Sequence, residues 1–246
     1  MRCRFCISDA HLSSMTPAQC IAALDTLRAR GFDQVVLGGG EPCEWPGDWR
    51  FAAREAKARG FHVQLGTNGV LLPDGFAHTP GVDRFVLPMD ASHAELHNDL
   101  RRSAATGPGA CADHFSLILR RLETLQRAGQ EVTVSTVVNA ANLAETAAIG
   151  QWLSRYAAQG GRVHAWHLYR FIPTGRGGGQ HASTLDISDE AYEAAVLTGR
   201  RAAGSVRVFK RPDMRHSLTV DFFWQEGAHL KVGSEVWEKL PSAEAC

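Results

Sequence analysis

The chain lacks several features that would place it in common classes of protein. No stretch of 18 apolar residues could span a bilayer, and no apolar run follows the N-terminus as in a secretory signal. The 26 Lys and Arg residues balance the 26 Asp and Glu residues, so no overall field would attract nucleic acid or an anionic membrane. The sequence therefore favours a cytoplasmic protein with neither nucleic acid nor a membrane as its partner.

Cysteine is scarce, and only one pair is closely spaced. Of the six cysteines, Cys3 and Cys6 form a Cys-x-x-Cys pair at the start of the chain. A disulfide framework is not expected in a reducing compartment, so the pair indicates metal or redox chemistry. A zinc site would need a second pair, which is missing, and a thioredoxin-like pair should follow a strand. An iron–sulfur site stays open.

Short β-branched apolar runs alternate with amphipathic helical patterns over most of the sequence. This alternation predicts βα repeats and a parallel sheet. Strands are predicted at 34–37, 61–65, 83–87, 131–138 and 163–172. Helices are predicted from Pro17, with Thr16 as N-cap, to Gly31, and at 48–59, 112–128, 143–157 and 188–203. Shorter strands are predicted near the C-terminus at 206–209, 218–224 and 229–232.

The first predicted strand ends in a glycine-rich turn, Gly38-Gly39-Gly40-Glu41-Pro42. Together with Cys3 and Cys6, this turn resembles the radical S-adenosylmethionine (SAM) superfamily, which holds a [4Fe-4S] cluster on Cys-x-x-x-Cys-x-x-Cys. Cys3 and Cys6 match the second and third cysteines of that motif, and the first would fall two places before Met1. We expect that the start lies at an internal methionine, so that an upstream segment supplies this cysteine and the strand before it. Loss of the ligand is the alternative.

The resemblance implies a fold and an activity. The fold is α/β: a partial (β/α)6 TIM-like barrel at 1–179, lacking its first strand in this chain. A small C-terminal α+β extension at 180–246 is expected to cover the barrel opening. The cluster would cleave SAM reductively and generate a 5′-deoxyadenosyl radical on a small-molecule substrate. The electron would come from a donor such as flavodoxin or ferredoxin.

The resemblance also implies which residues contact SAM. The glycine-rich turn would meet its amino group, and the turn after the second predicted strand would meet its ribose. Side chains at further strand ends would face the same cavity, although each could instead cap a helix or stabilise a turn. The predicted cofactor-binding residues are Gly39, Gly40, Glu41, Pro42, Thr67, Asn68, Asp90, Ser92, Asn139 and Arg176. Cys3 and Cys6 are the predicted metal ligands, and no catalytic residue is assigned.

Other polar residues carry weaker predictions. Arg101 and Arg102 are expected on the surface, with the SAM carboxylate as an alternative partner for one of them. His93 and His97 have a spacing that suits a helical metal site, but no zinc-enzyme pattern surrounds them. Cys43 is expected to have a structural role near the cofactor.

Two other functions stay open. If the first cluster ligand is lost, the barrel could bind a ligand or partner without radical chemistry. A redox or metal-binding protein that uses Cys3 and Cys6 alone is the third interpretation. The tail carries no second cysteine cluster, which favours a single-cluster enzyme with a small-molecule substrate.

Overall fold

The main sheet has six parallel strands that lie side by side in sequence order and curl into a half-barrel. The computed structural model describes residues 1–8, 14–101, 111–213 and 220–233. Each strand of the sheet pairs in parallel with the next along the chain. The strands are β1 Gln34–Leu37, β2 His62–Gly66, β3 Arg84–Pro88, β4 Glu131–Val138, β5 Arg162–Arg170 and β6 Val208–Arg211. The predicted α/β partial barrel is thus confirmed.

Helices connect the strands and cover one face of the sheet. They are α1 Pro17–Ala29, α2 Trp49–Ala58, α3 Ala94–Leu100, α4 His114–Arg127, α5 Thr146–Ala158, α6 Gly175–Gly178, α7 Ala182–Leu185 and α8 Asp189–Ala202. Short 3-10 turns lie at Pro42–Glu44, Phe76–His78 and Leu143–Glu145. Thr16 caps α1 as predicted: its hydroxyl accepts from the Gln19 N–H, while the Gln19 side chain accepts from the Thr16 N–H. None of the helices in the described ranges is long and apolar enough to cross a membrane.

The core lies between the sheet and these helices. Alternate strand residues such as Leu87, Val134 and Trp166 are fully buried and pack in one cluster with Ile118 of α4 and Val196 of α8. Burying a side chain of this size contributes about 1.5–3 kcal/mol. Because strand side chains alternate between faces, the remaining positions point to the concave side of the half-barrel. The carboxyl ends of all six strands therefore meet at one edge of this concave surface.

The sheet continues beyond the boundary that the sequence suggested. The strand predicted at 206–209 was placed in the C-terminal extension, but β6 extends the main sheet, with Trp166 opposite Val208 and Tyr169 opposite Arg211. The cause is α8, which packs on α5 and returns the chain parallel to β5 as a further βαβ unit. The sixth strand of the sheet is therefore β6, which lies downstream of Gly179. The division of the chain into two domains stays a prediction.

An antiparallel hairpin, β7 Phe223–Glu226 and β8 His229–Val232, follows β6. It packs near the other edge of the sheet: the Phe223 and Phe32 ring centroids lie 5.6 Å apart, and Gln19 Nε2 donates to the Gly227 carbonyl at 3.2 Å. The strand predicted at 229–232 agrees with β8. Of the strand predicted at 218–224, only residues 223 and 224 belong to an observed strand, β7. Residues 218 and 219 lie outside the described residues. Covering of the barrel opening by this segment stays a prediction.

Candidate functional site

Cys3 and Cys6 lie on one tight turn at the start of the chain. The Cys6 N–H donates to the Cys3 carbonyl at 3.2 Å, which closes the turn, and both thiols are partly buried and free of disulfides. Phe5, between them, is 7% exposed and packs with Leu100 and Phe171. The aromatic ring therefore anchors the cysteine turn to the protein.

A glycine segment after β5 receives this turn. The N–H groups of Gly177 and Gly178 both donate to the Cys6 carbonyl, at 3.0 and 3.2 Å. A Cβ atom on Gly177 would lie 2.3 Å from the Cys3 carbonyl oxygen, a distance that no side chain allows. Position 177 therefore has to be glycine if the two backbones are to approach this closely.

Arg101 connects the cysteine turn to the end of β3. Its Nε donates to the Asp90 carboxylate in an ion pair, and its Nη1 lies 4.0 Å from the Cys3 Sγ. The guanidinium carbon also stands 5.1 Å from the centroid of the Phe5 ring. Only 11% of the Arg101 side chain is exposed, so the surface position predicted for it is wrong, because the ion pair with Asp90 allows burial. Arg102 lies outside the described residues.

The glycine-rich turn after β1 has an open backbone. Gly39 adopts φ of 117°, a left-handed conformation that favours glycine. A Cβ atom on Gly39 or Gly40 would meet no protein atom within 4 Å. A ligand can therefore approach this backbone closely, as the sequence predicted for SAM. Pro42 is buried at the start of the 3-10 turn that follows.

Glu41 joins the ends of β1 and β2. Its carboxylate accepts from the Thr67 hydroxyl at 2.5 Å, the Asn68 N–H at 2.7 Å and the Cys43 N–H at 3.1 Å. The Thr67 hydroxyl also accepts from the Gly69 N–H at 3.0 Å, so the side chains of Glu41 and Thr67 are occupied within the protein. Both side chains hold the turns in place, and their contact with SAM stays a prediction.

Cys43 lies beside this junction. Its Sγ is 3.8 Å from the Thr67 hydroxyl. Burial, followed by the nearby Glu41 carboxylate, raises the pKa of the Cys43 thiol to about 12. The thiol therefore stays protonated at neutral pH, which agrees with a structural role.

The predicted residues at the ends of β3 and β4 are also bonded to one another. Asp90 accepts from the Val137 N–H at 2.8 Å through its carboxylate. Asn139 is fully buried, accepting from the Ala141 N–H at 3.0 Å and donating to the Val137 carbonyl at 2.9 Å. Ser92 donates from its N–H and its hydroxyl to the Glu145 carboxylate, at 2.8 and 2.6 Å. Asp90, Ser92 and Asn139 therefore brace the loops at this edge of the sheet.

Two buried histidines connect the end of β2 to the end of β3. His97 Nδ1 lies 3.2 Å from the Asp90 backbone nitrogen, and His97 Nε2 lies 2.8 Å from His114 Nδ1. His114 Nε2 in turn lies 2.7 Å from the Asn68 carbonyl oxygen. Both ring nitrogens of His97 are thus taken, so the metal site considered for His93 and His97 is not formed.

Arg176 lies away from this group. Its Nη2 donates to the Met1 carbonyl at 3.4 Å, and the residue is exposed. The structure thus joins Glu41 to Thr67 and Asn68, and it brings Asp90 and Asn139 together at Val137. Arg176 lies beside the cysteine turn, on its exposed side. Contact of these residues with SAM stays a prediction.

Sequence patterns did not indicate His114, and they placed Arg101 on the surface. His114 is the first residue of α4, and the only sequence signal in this helix was its apolar stripe, which predicts packing and not a polar contact. Its partner His97 lies on α3, a helix that was not predicted. Within the described residues, no group of three or more His, Cys, Asp or Glu side chains is placed to hold a metal ion.

The model of the Radical SAM superfamily matches residues 1–149. The chain belongs to the radical SAM superfamily. Members of this superfamily use a [4Fe-4S] cluster and SAM. The geometry above is therefore that of a radical SAM barrel, with the cysteine turn and the glycine-rich turn at the carboxyl edge of its sheet.

This radical SAM chain is also similar to individual known proteins. The 7-carboxy-7-deazaguanine synthase of Rhodospirillum rubrum is 38% identical over 76 residues, which cover 30% of this chain and 32% of that protein. SuiB of Streptococcus suis bound to S-adenosylmethionine has a TM-score of 0.63 at 12% identity, covering 90% of this chain and 50% of that one. The hydrogenase maturase HydG of Carboxydothermus hydrogenoformans has a TM-score of 0.63 at 14% identity, covering 87% and 52%.

These comparisons differ in what they support. The structural likenesses, at such low identity, show the fold alone. The chain spans about a third to a half of the length of these relatives, from 32% of the synthase to 52% of HydG.

Proposed function

We propose that this chain acts as a radical SAM enzyme in which Cys3 and Cys6 are ligands of a [4Fe-4S] cluster. Bound there, the cluster would supply one electron to cleave SAM and give a 5′-deoxyadenosyl radical that acts on a small molecule. One observation carries the proposal: the cysteine turn is fixed at the carboxyl edge of the sheet, linked through Arg101 to Asp90 and through Gly177 to the loop after β5.

The cysteine turn fits two ligand positions of such a cluster. Both thiols are free, and burial raises the pKa of the Cys3 thiol while the Arg101 charge opposes that shift. A guanidinium near a thiol favours the thiolate, which is the form that binds iron. The residues present supply two of the three thiolates of the motif, and no further cysteine stands near them in the sequence.

The protein groups that would bind SAM are mostly backbone groups. Gly39 and Gly40 leave an open backbone, and Pro42 fixes the chain after it. Asn68 directs its N–H to Glu41 and its carbonyl to His114, and its Oδ1 accepts from the Val70 N–H at 2.9 Å. Its side-chain Nδ2 makes no hydrogen bond within the described residues, so this group would donate to the ligand.

The substrate is proposed to be a small molecule. The name of the relative at 38% identity, 7-carboxy-7-deazaguanine synthase, indicates that this relative makes a small heterocycle. The neighbours bound to peptides, SuiB and anSMEcpe, are only 12% and 14% identical and support the fold alone. A flavodoxin or ferredoxin is proposed as the electron donor, and the cytoplasm as the location.

One experiment separates this proposal from a barrel that binds ligands without chemistry. Adding Cys-Ala in front of Met1 completes the motif as Cys-Ala-Met1-Arg2-Cys3, and adding Ser-Ala gives a matched control. After anaerobic reconstitution, we expect the Cys-Ala protein to contain one [4Fe-4S] cluster per chain and to release 5′-deoxyadenosine from SAM with dithionite. The Ser-Ala form and a Cys6→Ser variant of the Cys-Ala form should do neither. A Cys-Ala form that takes up only zinc, or that holds the cluster without cleaving SAM, contradicts the proposal.

A further inference from the structure

The histidine pair formed by His97 and His114 has no part in the chemistry described so far. Its two rings come from different helices, α3 and α4, and lie nearly parallel, with 15° between their planes. His97 is 0% exposed and His114 is 1% exposed. Every ring nitrogen has a partner, so the pair forms one chain of hydrogen bonds from the Asp90 N–H to the Asn68 carbonyl.

The two backbone groups at its ends fix where the ring protons are. A backbone N–H only donates, so His97 Nδ1 must accept from Asp90 and carry no proton. The neutral His97 ring then carries its proton on Nε2 and donates to His114 Nδ1. His114 therefore also carries its proton on Nε2, and it donates to the Asn68 carbonyl. Both rings are neutral Nε2–H tautomers in a single orientation.

Protonation of either ring would break this chain. An added proton on His97 Nδ1 would face the Asp90 N–H, and one on His114 Nδ1 would face the proton that His97 donates. Burial, followed by the charge of Arg101, lowers the pKa of both histidines to about 3. The Asp113 carboxylate raises the pKa of His97, and the Asp90 carboxylate raises the pKa of His114, but neither reverses the overall lowering.

The pair fixes one peptide group of the turn at the end of β2. The Asn68 N–H is held by Glu41 at 2.7 Å, and the Asn68 carbonyl is held by His114 at 2.7 Å. These two groups belong to the peptide units on either side of the Asn68 Cα, so both planes that meet at this Cα are held, and the direction of the Asn68 side chain follows from them. Through Asp90, the same chain of bonds reaches Arg101 and the cysteine turn.

We propose that His97 and His114 are positioning residues that hold the Thr67–Gly69 turn in its SAM-binding orientation. The pair acts as a neutral link of fixed direction, and it touches neither SAM nor the cluster. This inference rests on the proposed function, because it names SAM as the ligand of the turn. The proton positions, in contrast, follow from the fold alone.

Nuclear magnetic resonance tests the proton positions without any cofactor. In 15N-histidine-labelled protein, two-bond nitrogen–proton correlations distinguish Nε2–H from Nδ1–H rings. We expect two histidine rings in the Nε2–H form whose signals stay unchanged from pH 8 to pH 5.5. One of these signals should disappear in His97→Asn and the other in His114→Gln, which assigns them. An Nδ1–H tautomer for either ring, or a ring that titrates in this range, overturns the fixed orientation.

Titration of SAM into the cluster-loaded Cys-Ala protein tests the positioning role, with the otherwise unsubstituted Cys-Ala protein as the wild type. His114→Leu removes the donor to Asn68 and should raise the SAM Kd at least tenfold. His114→Gln can place its Nε2 near the Asn68 carbonyl and should stay within threefold of the wild type.

Leu122→Ala is the control for stability, because Leu122 lies on the same helix, is buried and is far from the chain of hydrogen bonds. It should lower the melting temperature and leave the SAM Kd unchanged. Equal SAM affinity in His114→Leu and Leu122→Ala refutes the positioning role and leaves the proposed function standing. A wild type that holds the cluster but binds no SAM refutes both.

Discussion

The Arg101 guanidinium lies 4.0 Å from the Cys3 sulfur while the same side chain is paired with the buried Asp90 carboxylate. Asp90 thus holds a positive charge beside a partly buried thiol. A buried thiolate needs such a charge, because burial alone disfavours ionisation of the thiol. The end of β3 is in this way linked electrostatically to the cysteine turn.

Removing Asp90 should destabilise the protein strongly. Asp90→Ala leaves the Arg101 charge buried without its partner, and losing one member of a buried pair costs about 3–5 kcal/mol. Glu123→Ala is the matched control, since it breaks an exposed pair with Arg127 whose loss costs about 0.3–0.5 kcal/mol. Urea unfolding of both variants measures the difference. Similar free energies of unfolding for the two variants would contradict the buried pair.

Gly40→Val should weaken SAM binding without affecting the fold. A Cβ atom at position 40 meets no protein atom within 4 Å, so the free energy of unfolding should stay unchanged. The branched side chain would occupy the space where the ligand meets the backbone, and we expect at least a tenfold loss of affinity, or about 1.4 kcal/mol. Calorimetric titration of SAM into the cluster-loaded Cys-Ala protein, with and without Gly40→Val, checks this. Unchanged SAM affinity in the variant argues against a ligand at this turn.

Gly177→Ala should displace the cysteine turn. Its Cβ atom would lie 2.3 Å from the Cys3 carbonyl and 2.7 Å from the Cys6 nitrogen, and both are backbone atoms that cannot move independently. We expect this variant of the Cys-Ala protein to retain less than half of the iron that its parent holds. Gly40→Ala, at an open position, serves as the control and should load iron normally. Full iron loading of Gly177→Ala would show that the turn binds iron without this contact.

The buried histidines should make stability depend on pH. The folded-state pKa values of His97 and His114 are about 3, below the usual 6.5 of an unfolded histidine. As the pH falls below 6.5, protons bind the unfolded chain only, so stability is lost on acidification. Between pH 7.5 and 5.5 the loss is about 1.4 kcal/mol for each histidine.

The double variant His97→Asn, His114→Gln isolates this effect from other titrating groups. Between the same two pH values it should lose about 3 kcal/mol less than the wild type does. Denaturant unfolding at pH 7.5 and pH 5.5 provides the comparison. Equal losses in the two proteins would mean that the histidines are not held neutral.

Local patterns predicted most of the strands and longer helices. β4 and β8 have the predicted bounds, and the caps of α1 and α8 are Thr16 and Ser188 as expected. Such elements carry their signal in neighbouring residues, through apolar periodicity and capping side chains. The glycine-rich turn was recognised for the same reason, because its whole motif is contiguous.

Features that depend on distant contacts were not predictable in this way. The seven-residue helix α3 has His93 as its N-cap, and the His93 side chain makes no capping bond, so no start signal marks the helix. Burial of Arg101 depends on Asp90, and the roles of His97 and His114 depend on two helices meeting in space. The joining of β6 to the main sheet depends on how α8 packs, which no single stretch of sequence reveals.

The contact between Gly177 and the cysteine turn also constrains the order of events during synthesis. Cys3 and Cys6 leave the ribosome first, but the backbone that receives them lies more than 170 residues later. At a translation rate of about 5–20 residues per second, that segment follows after roughly 10–35 s. Through this interval the two thiols have no docking surface and are open to oxidation or to scavenging of stray metal. We therefore expect iron delivery in the cell to follow the emergence of residue 178.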